Sequence, residues 1–222
     1  MTANRPERLV LVLGTGTEVG KTWVACRLAR SLRQRGLIVA ARKLAQSYEA
    51  GDDLSGTDAA LLAHATGDHP AAVCPQHRWY PWAMAPPMAA EALGRPPFTV
   101  ADLLGELSWP PGVGVGLLEA AGGVRSPLAA DGEARDLVHA LRPDRIVLVA
   151  EAGLGTINAV RLSLDALAGP GGHHPPTTVV LNRFDAGDDL HVRNHEWLTG
   201  VDGTDVVTGA EDLVARVVGW PG

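Results

Sequence analysis

The stretch Gly14-Thr15-Gly16-Thr17-Glu18-Val19-Gly20-Lys21-Thr22 decides the fold of this chain. It follows an apolar run at residues 9–13 and precedes a segment with apolar residues at helical spacing. A strand, a glycine-rich turn and a helix in this order are the setting of a phosphate-binding loop. Glycines let backbone N–H groups converge on an anion, and the helix start adds partial positive charge. The stretch therefore predicts a nucleoside triphosphate site.

Two side chains of this loop have expected roles: Lys21 reaches the β- and γ-phosphates, and the Thr22 hydroxyl ligates Mg²⁺. The usual pattern G-x-x-x-x-G-K-T has its first glycine where Thr15 stands, whereas here it is Gly14. The alternative is a glycine-rich turn followed by Lys-Thr by chance. The position of Gly-Lys-Thr at the expected helix start argues against that alternative.

The composition suits one α/β domain over residues 1–222, because 46% of the 222 residues are hydrophobic. With a net charge of −6 and no stripe of basic residues, we expect no nucleic-acid partner. No apolar run approaches the about 20 residues of a membrane helix, so we expect no membrane partner. Residues 1–8 lack the apolar core of a secretory signal. A cytoplasmic protein is the expectation.

Strands and helices alternate along the chain, which predicts a mostly parallel sheet with helices on both faces. The predicted strands are residues 9–13, 37–41, 113–118, 146–150 and 178–181, and the predicted helices are residues 20–35, 57–65, 86–93, 99–107, 155–167 and 210–218. We expect residues 46–56 and 67–87 to be irregular and residues 169–176 to form a turn-rich linker.

The chain has only two lysines among 19 basic residues, Lys21 and Lys43. Arginine therefore supplies the generic positive surface charge, and we expect a position that keeps lysine to need a compact ammonium. Lys43 follows the second predicted strand, at the end where open α/β sheets bind ligands. It is a candidate companion of Lys21, although two lysines surviving by chance is the alternative.

Carboxylates near strand ends predict a metal site. Glu119 directly follows a buried strand, where a carboxylate needs a partner. Asp58 lies near a helix start, and a favourable place at the positive helix end is its alternative explanation. Together with Thr22 these residues offer the hard oxygen ligands that Mg²⁺ prefers.

Other polar positions are candidates for ligand contacts. Ser47 stands four residues after Lys43, and Asn182 closes a later strand, where it either reads a base or forms a turn. A second glycine turn, Gly153-Leu154-Gly155-Thr156-Ile157-Asn158, opens a helix whose start can bind a carboxylate or a phosphate. Ordinary N-capping by Thr156 is the alternative there.

These residues together resemble the ATP-dependent dethiobiotin synthetases, whose phosphate loop also carries the extra residue. The resemblance continues in the same order through residues 43–47, Asp58, residues 86–91, 119–123 and 153–158, and Asn182. It implies a homodimeric enzyme with a P-loop NTPase fold that uses ATP and Mg²⁺. The implied reaction joins 7,8-diaminononanoate and CO₂ through a carbamate and a carbamic–phosphoric anhydride to give dethiobiotin.

The resemblance also implies roles for the candidate residues. Lys21 and Lys43 are the catalytic residues at the phosphates and the carbamate. Thr22, Asp58 and Glu119 hold Mg²⁺. Ser47 binds substrate. The substrate carboxylate is capped from the partner subunit by Gly155, Thr156, Ile157 and Asn158. Nucleotide is bound by Gly16, Thr17, Glu18, Val19, Gly20, Lys21, Thr22, Trp23, Glu119, Gly122, Asn182 and Arg183, with Asn182 at the adenine.

Two departures from the family's pattern keep alternatives open. Leu44-Ala45 replaces Pro-Val after the second lysine, and Ala120 replaces a glycine after Glu119. The alternatives are a divergent paralogue that uses ATP on another amine, and a nucleotide-binding protein without synthetase activity. Related amidation enzymes normally add a glutaminase domain with a nucleophilic cysteine. Partitioning ATPases usually have a lysine early in the loop, and none precedes Lys21 here.

Overall fold

The computed structural model describes residues 5–168 and 175–219. Its central sheet has six strands: β1 (Arg8–Gly14), β2 (Val39–Lys43), β5 (Val115–Glu119), β8 (Arg145–Glu151), β9 (Thr177–Asn182) and β10 (Val206–Val207). All neighbouring strands of this sheet pair in parallel, in the order β10-β9-β8-β1-β5-β2. Two small ribbons complete the strands: β3 (Gln46–Ser47) with β4 (Trp79–Tyr80), and β6 (Pro127–Ala129) with β7 (Gly132–Glu133).

The helices cover both faces of the sheet, as predicted. They are α1 (Lys21–Gln34), α2 (Asp58–Thr66), α3 (Pro70–Val73), α4 (Pro86–Ala92), α5 (Val100–Glu106), α6 (Asp136–Leu141), α7 (Thr156–Leu167), α8 (Asp189–Glu196) and α9 (Ala210–Val218). Alternate side chains of β1 point to opposite faces. Leu9, Leu11 and Leu13 join the core under α4–α7, whereas Val10 and Val12 join the core under α1–α3 and α9.

The sequence explains why α1 forms and where it ends. Val24, Leu28 and Leu32 recur every four residues and are buried, so they form its core-facing stripe. The helix ends at Gln34, and Gly36 beyond its C-cap has a φ of 82°, the left-handed conformation that glycine adopts without strain. Within the described residues, no helix is both long and apolar enough to cross a bilayer.

Several predicted boundaries were wrong. Strand β2 begins at Val39 and contains Arg42 and Lys43, instead of ending before them. Strand β5 likewise includes Glu119. The stretches predicted to be irregular contain β3, β4 and α3, and the sequence patterns did not predict β6, β7, β10, α6 or α8. Residues 169–174 of the predicted linker lie outside the described residues.

Candidate nucleotide-binding and catalytic site

The candidate site lies at the carboxyl edge of the sheet, where β1, β2 and β5 end side by side. In the strand register, Glu119 of β5 is opposite both Lys43 of β2 and Val12 of β1. Strand β1 runs on to Gly14, so the phosphate loop begins beside these two charged residues. A cavity of about 950 Å³ opens at this edge. Its place agrees with the rule that open α/β sheets bind ligands beyond their carboxyl ends.

The loop geometry explains the shifted glycine. A Cβ atom on Gly14 would lie 2.9 Å from the carbonyl oxygen of Gly16 and 2.9 Å from Cγ2 of Val19. At Gly16 the nearest atom to an added Cβ is 3.8 Å away. The loop thus folds back over Gly14, and this position excludes any side chain. Glu18 and Gly20 both have positive φ, 62° and 91°, which turns the backbone towards an anion-binding concavity.

Lys21 is buried, and its Nζ donates a hydrogen bond to the Gly16 carbonyl oxygen at 3.0 Å. Burial lowers the pKa of Lys21, and the positive charge of Lys43 lowers it further. An ammonium has three N–H groups, so two remain for a ligand. This arrangement favours an anion in the loop, because a negative ligand would compensate the buried charge.

Thr22, Asp58 and Glu119 converge on one point. The Thr22 hydroxyl oxygen lies 2.7 Å from Oδ1 of Asp58 and 2.9 Å from Oε1 of Glu119. A hydroxyl has one proton and can donate to only one carboxylate at a time. The three side chains therefore bring together more acceptors than donors, which is an arrangement that attracts a cation.

Lys43 bridges the two carboxylates. Its Nζ donates to Oδ2 of Asp58 at 2.8 Å and to Oε1 of Glu119 at 2.6 Å. Burial acts to lower the pKa of Lys43, but the two carboxylates outweigh it and the pKa is raised. Burial acts to raise the pKa of Asp58, but Lys43 outweighs it and that pKa is lowered. For Glu119 burial dominates, and its pKa is raised despite Lys43.

The residues fit Mg²⁺ as a ligand. Oε2 of Glu119 is buried and has no hydrogen-bond partner in the described part of the chain, so it has a coordination position to offer. Among the described residues, no group of three or more His, Cys, Asp or Glu side chains is placed to hold a metal. Two carboxylates and a hydroxyl suit Mg²⁺, because this ion usually completes its shell with water and phosphate oxygens.

Comparisons with known proteins identify the family of this chain. A family model described as an AAA domain matches residues 8–218. The chain is 37% identical over 187 residues to "ATP-dependent dethiobiotin synthetase BioD" of Anaeromyxobacter dehalogenans, covering 83% of this chain and 81% of that protein. It is 38% identical over 160 residues to the protein of the same name from a Caulobacter species, covering 71% and 69%. The chain belongs to the dethiobiotin synthetase family. Its expected P-loop NTPase fold is also confirmed.

Among solved structures, the cell division protein FtsY of Thermotoga maritima is similar in fold, with a TM-score of 0.51 and 15% identity. That similarity covers 97% of this chain and 69% of the other. At this identity it concerns the fold alone.

Most residues expected from the synthetase resemblance line the cavity. They are Thr17, Glu18, Gly20, Lys21, Thr22, Lys43, Ser47, Asp58, Glu119, Gly122 and Arg183. Gly16, Val19, Trp23 and Asn182 do not line it. Val19 is buried in the core, whereas the Trp23 ring is half exposed, with the Arg27 guanidinium 4.9 Å from its centroid.

Asn182, expected at the adenine, is tied to the phosphate loop. It is buried, and its Nδ2 donates to the Val19 carbonyl oxygen at 2.9 Å. The neighbouring Arg183 pairs with Glu151 and does line the cavity. Asn182 thus fixes the loop from the end of β9 across the sheet edge.

The residues expected to cap the substrate carboxylate lie apart from the cavity. None of Gly155, Thr156, Ile157 and Asn158 belongs to its lining. Gly155, with φ of 91°, is the N-cap of α7, and the side chain of Thr156 makes no cap hydrogen bond. The alternative explanation of Thr156 as an N-cap was therefore wrong. Its Oγ1 is buried and has no partner among the described residues.

The two departures from the synthetase pattern lie in the core. Leu44 and Ala120 are both buried in the cluster under α4–α7, and neither lines the cavity. The Ala120 N–H donates to the Val12 carbonyl oxygen at 3.1 Å, which extends the ladder between β1 and β5. Ala121 and Gly122 line the cavity in its place.

The sequence patterns missed part of the cavity wall. The missed lining residues are Gln46, Tyr48, Glu49, Asp52, Asp53, Gly56, Thr57, Ala83, Met84, Ala85, Pro86, Ala121, Ser126 and Pro127. Most of them lie in irregular segments, where apolar residues do not recur at a regular spacing. The available signal was their position in the sequence, because many of them flank Ser47, Asp58 or Gly122.

The two cysteines are not placed for nucleophilic chemistry. Burial raises the pKa of Cys26 to about 11 and that of Cys74 to about 12. A reactive cysteine needs a lowered pKa and access to substrate. Neither thiol lines the cavity, so neither serves as the nucleophile of an amidation enzyme.

Proposed function

We propose that this chain catalyses the ATP-dependent carboxylation and ring closure of 7,8-diaminononanoate to dethiobiotin. The observation that carries the proposal is the convergence of Lys21, Lys43, Thr22, Asp58 and Glu119 on one cavity beside the phosphate loop. Relatives named dethiobiotin synthetase support it. ATP supplies the phosphoryl group that activates the carbamate oxygen, and Mg²⁺ neutralises phosphate charge.

The two lysines bind different anionic groups, the phosphates and the carbamate. Two N–H groups of Lys21 remain for phosphate oxygens after its bond to Gly16, and one N–H group of Lys43 remains for the carbamate. Fixed cations of this kind stabilise negative charge that develops on a transferred phosphoryl group. Ser47, whose buried Oγ has no partner among the described residues, holds the substrate amine side. These contacts orient the substrate, because both of its amines must react with the same carbon atom.

We also propose a homodimer in which each subunit caps the substrate carboxylate of the other. The α7 N-terminus carries the unpartnered Oγ1 of Thr156 and lies outside the cavity lining of its own chain. Leu154, just before it, is 92% exposed and is therefore accessible to a second subunit. A helix N-terminus attracts a carboxylate. Contact between subunits at Leu154 brings this end to the partner's cavity.

The test is to incubate purified protein with ATP, Mg²⁺, bicarbonate and 7,8-diaminononanoate. We expect phosphate release that depends on the diamine, with dethiobiotin detected by mass spectrometry in equal amount. Phosphate release without the diamine, or none at all, would overturn the synthetase proposal. Faster turnover of a different amine would instead identify a paralogue with another substrate.

A further inference from the structure

Gln46 is a cavity-wall residue whose amide has only one end satisfied. Its side chain is 2% exposed. Its Oε1 accepts a hydrogen bond from the Ala59 N–H at 2.9 Å. A backbone N–H can only donate, so the amide atom that faces Ala59 must be the oxygen. The other end, Nε2, is buried without a hydrogen-bond partner in the described part of the chain.

The bond to Ala59 makes the amide orientation fixed rather than free. Ala59 is the second residue of α2, and its N–H is one of the first-turn groups that the helix itself cannot satisfy. Thr57, the N-cap residue, makes no side-chain cap hydrogen bond, so Gln46 satisfies this N–H from outside the helix. Turning the amide would set two N–H groups against each other. Gln46 therefore keeps a donor at the cavity wall next to the helix that begins with Asp58.

The chemistry of this donor selects its ligand. An N–H group repels a metal ion and accepts no proton, so its partner is an oxygen or nitrogen acceptor. Buried donors without acceptors are rare in native proteins, which points to an acceptor that arrives with a ligand. Gln46 precedes Ser47 and follows Lys43 by three residues, and all three line the cavity. The phosphate loop lies on a different segment and provides its own donors.

We propose that Gln46 is a substrate-binding residue whose Nε2 donates a hydrogen bond to an oxygen of the substrate carbamate. Through Oε1 the same side chain holds α2, and so links carbamate binding to the position of Asp58. The inference rests on the proposed synthetase function. Gln46 thus adds a neutral donor to Lys43 and Ser47. This donor can bind an oxygen of the carbamate but not the free ammonium of the substrate, because an ammonium has no acceptor.

The test compares Gln46→Met with the parent protein in steady-state kinetics. Methionine preserves length and apolar volume but neither donates to substrate nor caps α2. We expect at least a tenfold rise in KM for the diamine, as for loss of a hydrogen bond to a charged acceptor. KM for ATP should change less than twofold, because the phosphate loop is untouched. The melting temperature should also fall through loss of the cap.

Ala63→Gly is the matched control for the loss of helix stability. It weakens α2 from its interior, and Ala63 does not line the cavity. We expect it to lower the melting temperature and leave both KM values within twofold. A normal KM for the diamine in Gln46→Met, or equal kinetic changes in both variants, would show that Gln46 only caps α2 and does not bind substrate. If the parent protein itself makes no dethiobiotin, the proposed function fails, and the carbamate role of Gln46 fails with it.

Discussion

At the scale of single residues, Lys43 is the charge on which the site depends. Its side chain is buried at the cavity wall and makes two ion pairs with carboxylates that belong to β5 and α2. The sequence pointed to it through composition alone, because it is one of only two lysines. The composition could not predict its second role, which is structural. Lys43 balances the buried charge of Glu119 as well as facing the ligand.

Replacing Lys43 with glutamine should therefore affect both activity and stability. We expect turnover to fall by about 10²–10³-fold or more, because a cation at the reacting oxyanion is lost. We expect the free energy of unfolding to fall by about 3 kcal/mol, since Glu119 remains buried without its partner. Turnover is measured by dethiobiotin formation and stability by calorimetry. Lys43→Arg is the control, because it keeps the charge but changes the compact ammonium to a planar group.

Lys43→Arg should recover much of the stability and little of the turnover. Near-normal turnover in Lys43→Gln would contradict the catalytic role given to Lys43. Normal stability in the same variant would contradict its role as the counter-charge of Glu119.

At the scale of elements, the sequence predicted long segments with a regular apolar period. It did not predict the bounds of strands that carry site residues. The stripe of α1 was read correctly from Val24, Leu28 and Leu32. Strand β2 was placed too early because Leu37 and Ile38 are apolar, whereas Ile38 is 62% exposed and Arg42 is buried inside the strand. Local patterns cannot anticipate a strand that buries its charged end. Such conflicts between pattern and structure are expected at functional sites.

Gly14 and Gly16 of the phosphate loop differ in the space that a side chain would have. Gly14→Ala would place Cβ 2.9 Å from backbone oxygen of Gly16, whereas Gly16→Ala would meet its nearest atom at 3.8 Å. Neither glycine is among the residues with positive φ, so alanine is strained at neither by its backbone angles. We expect Gly14→Ala to destabilise the nucleotide-free protein by about 1–3 kcal/mol. We expect Gly16→Ala to change it by less than about 0.5 kcal/mol.

The measurement is the melting temperature without nucleotide, so that contacts with ATP do not enter. Equal melting temperatures for the two variants would show that the loop does not need its shifted glycine. The sequence pattern alone could not separate these positions, because they flank Thr15, where the usual pattern has its first glycine.

At the scale of the whole molecule, the sequence predicted the half of the site that is built from strand ends. Lys43 and Glu119 come together because parallel strands end at one edge, and Thr22 lies at the start of α1, which follows β1. Gln46 was missed because its importance depends on α2, which is distant from it in any local pattern. The α7 residues were expected to cap the substrate carboxylate from the partner subunit, and they lie outside the cavity of their own chain.

A shared site makes a prediction that a site within one chain does not. Lys43→Gln inactivates the cavity, and Asn158→Asp places a negative charge at the exposed α7 N-terminus, where it repels the substrate carboxylate. Each variant alone should have little activity at low diamine concentration. Co-expressed in equal amounts with different tags, they form mixed dimers as about half of all dimers, each with one site free of both substitutions. We therefore expect the mixture to recover about one quarter of parental activity. Recovery should follow the doubly tagged fraction on purification, whereas a site contained in one chain would give no recovery in any fraction.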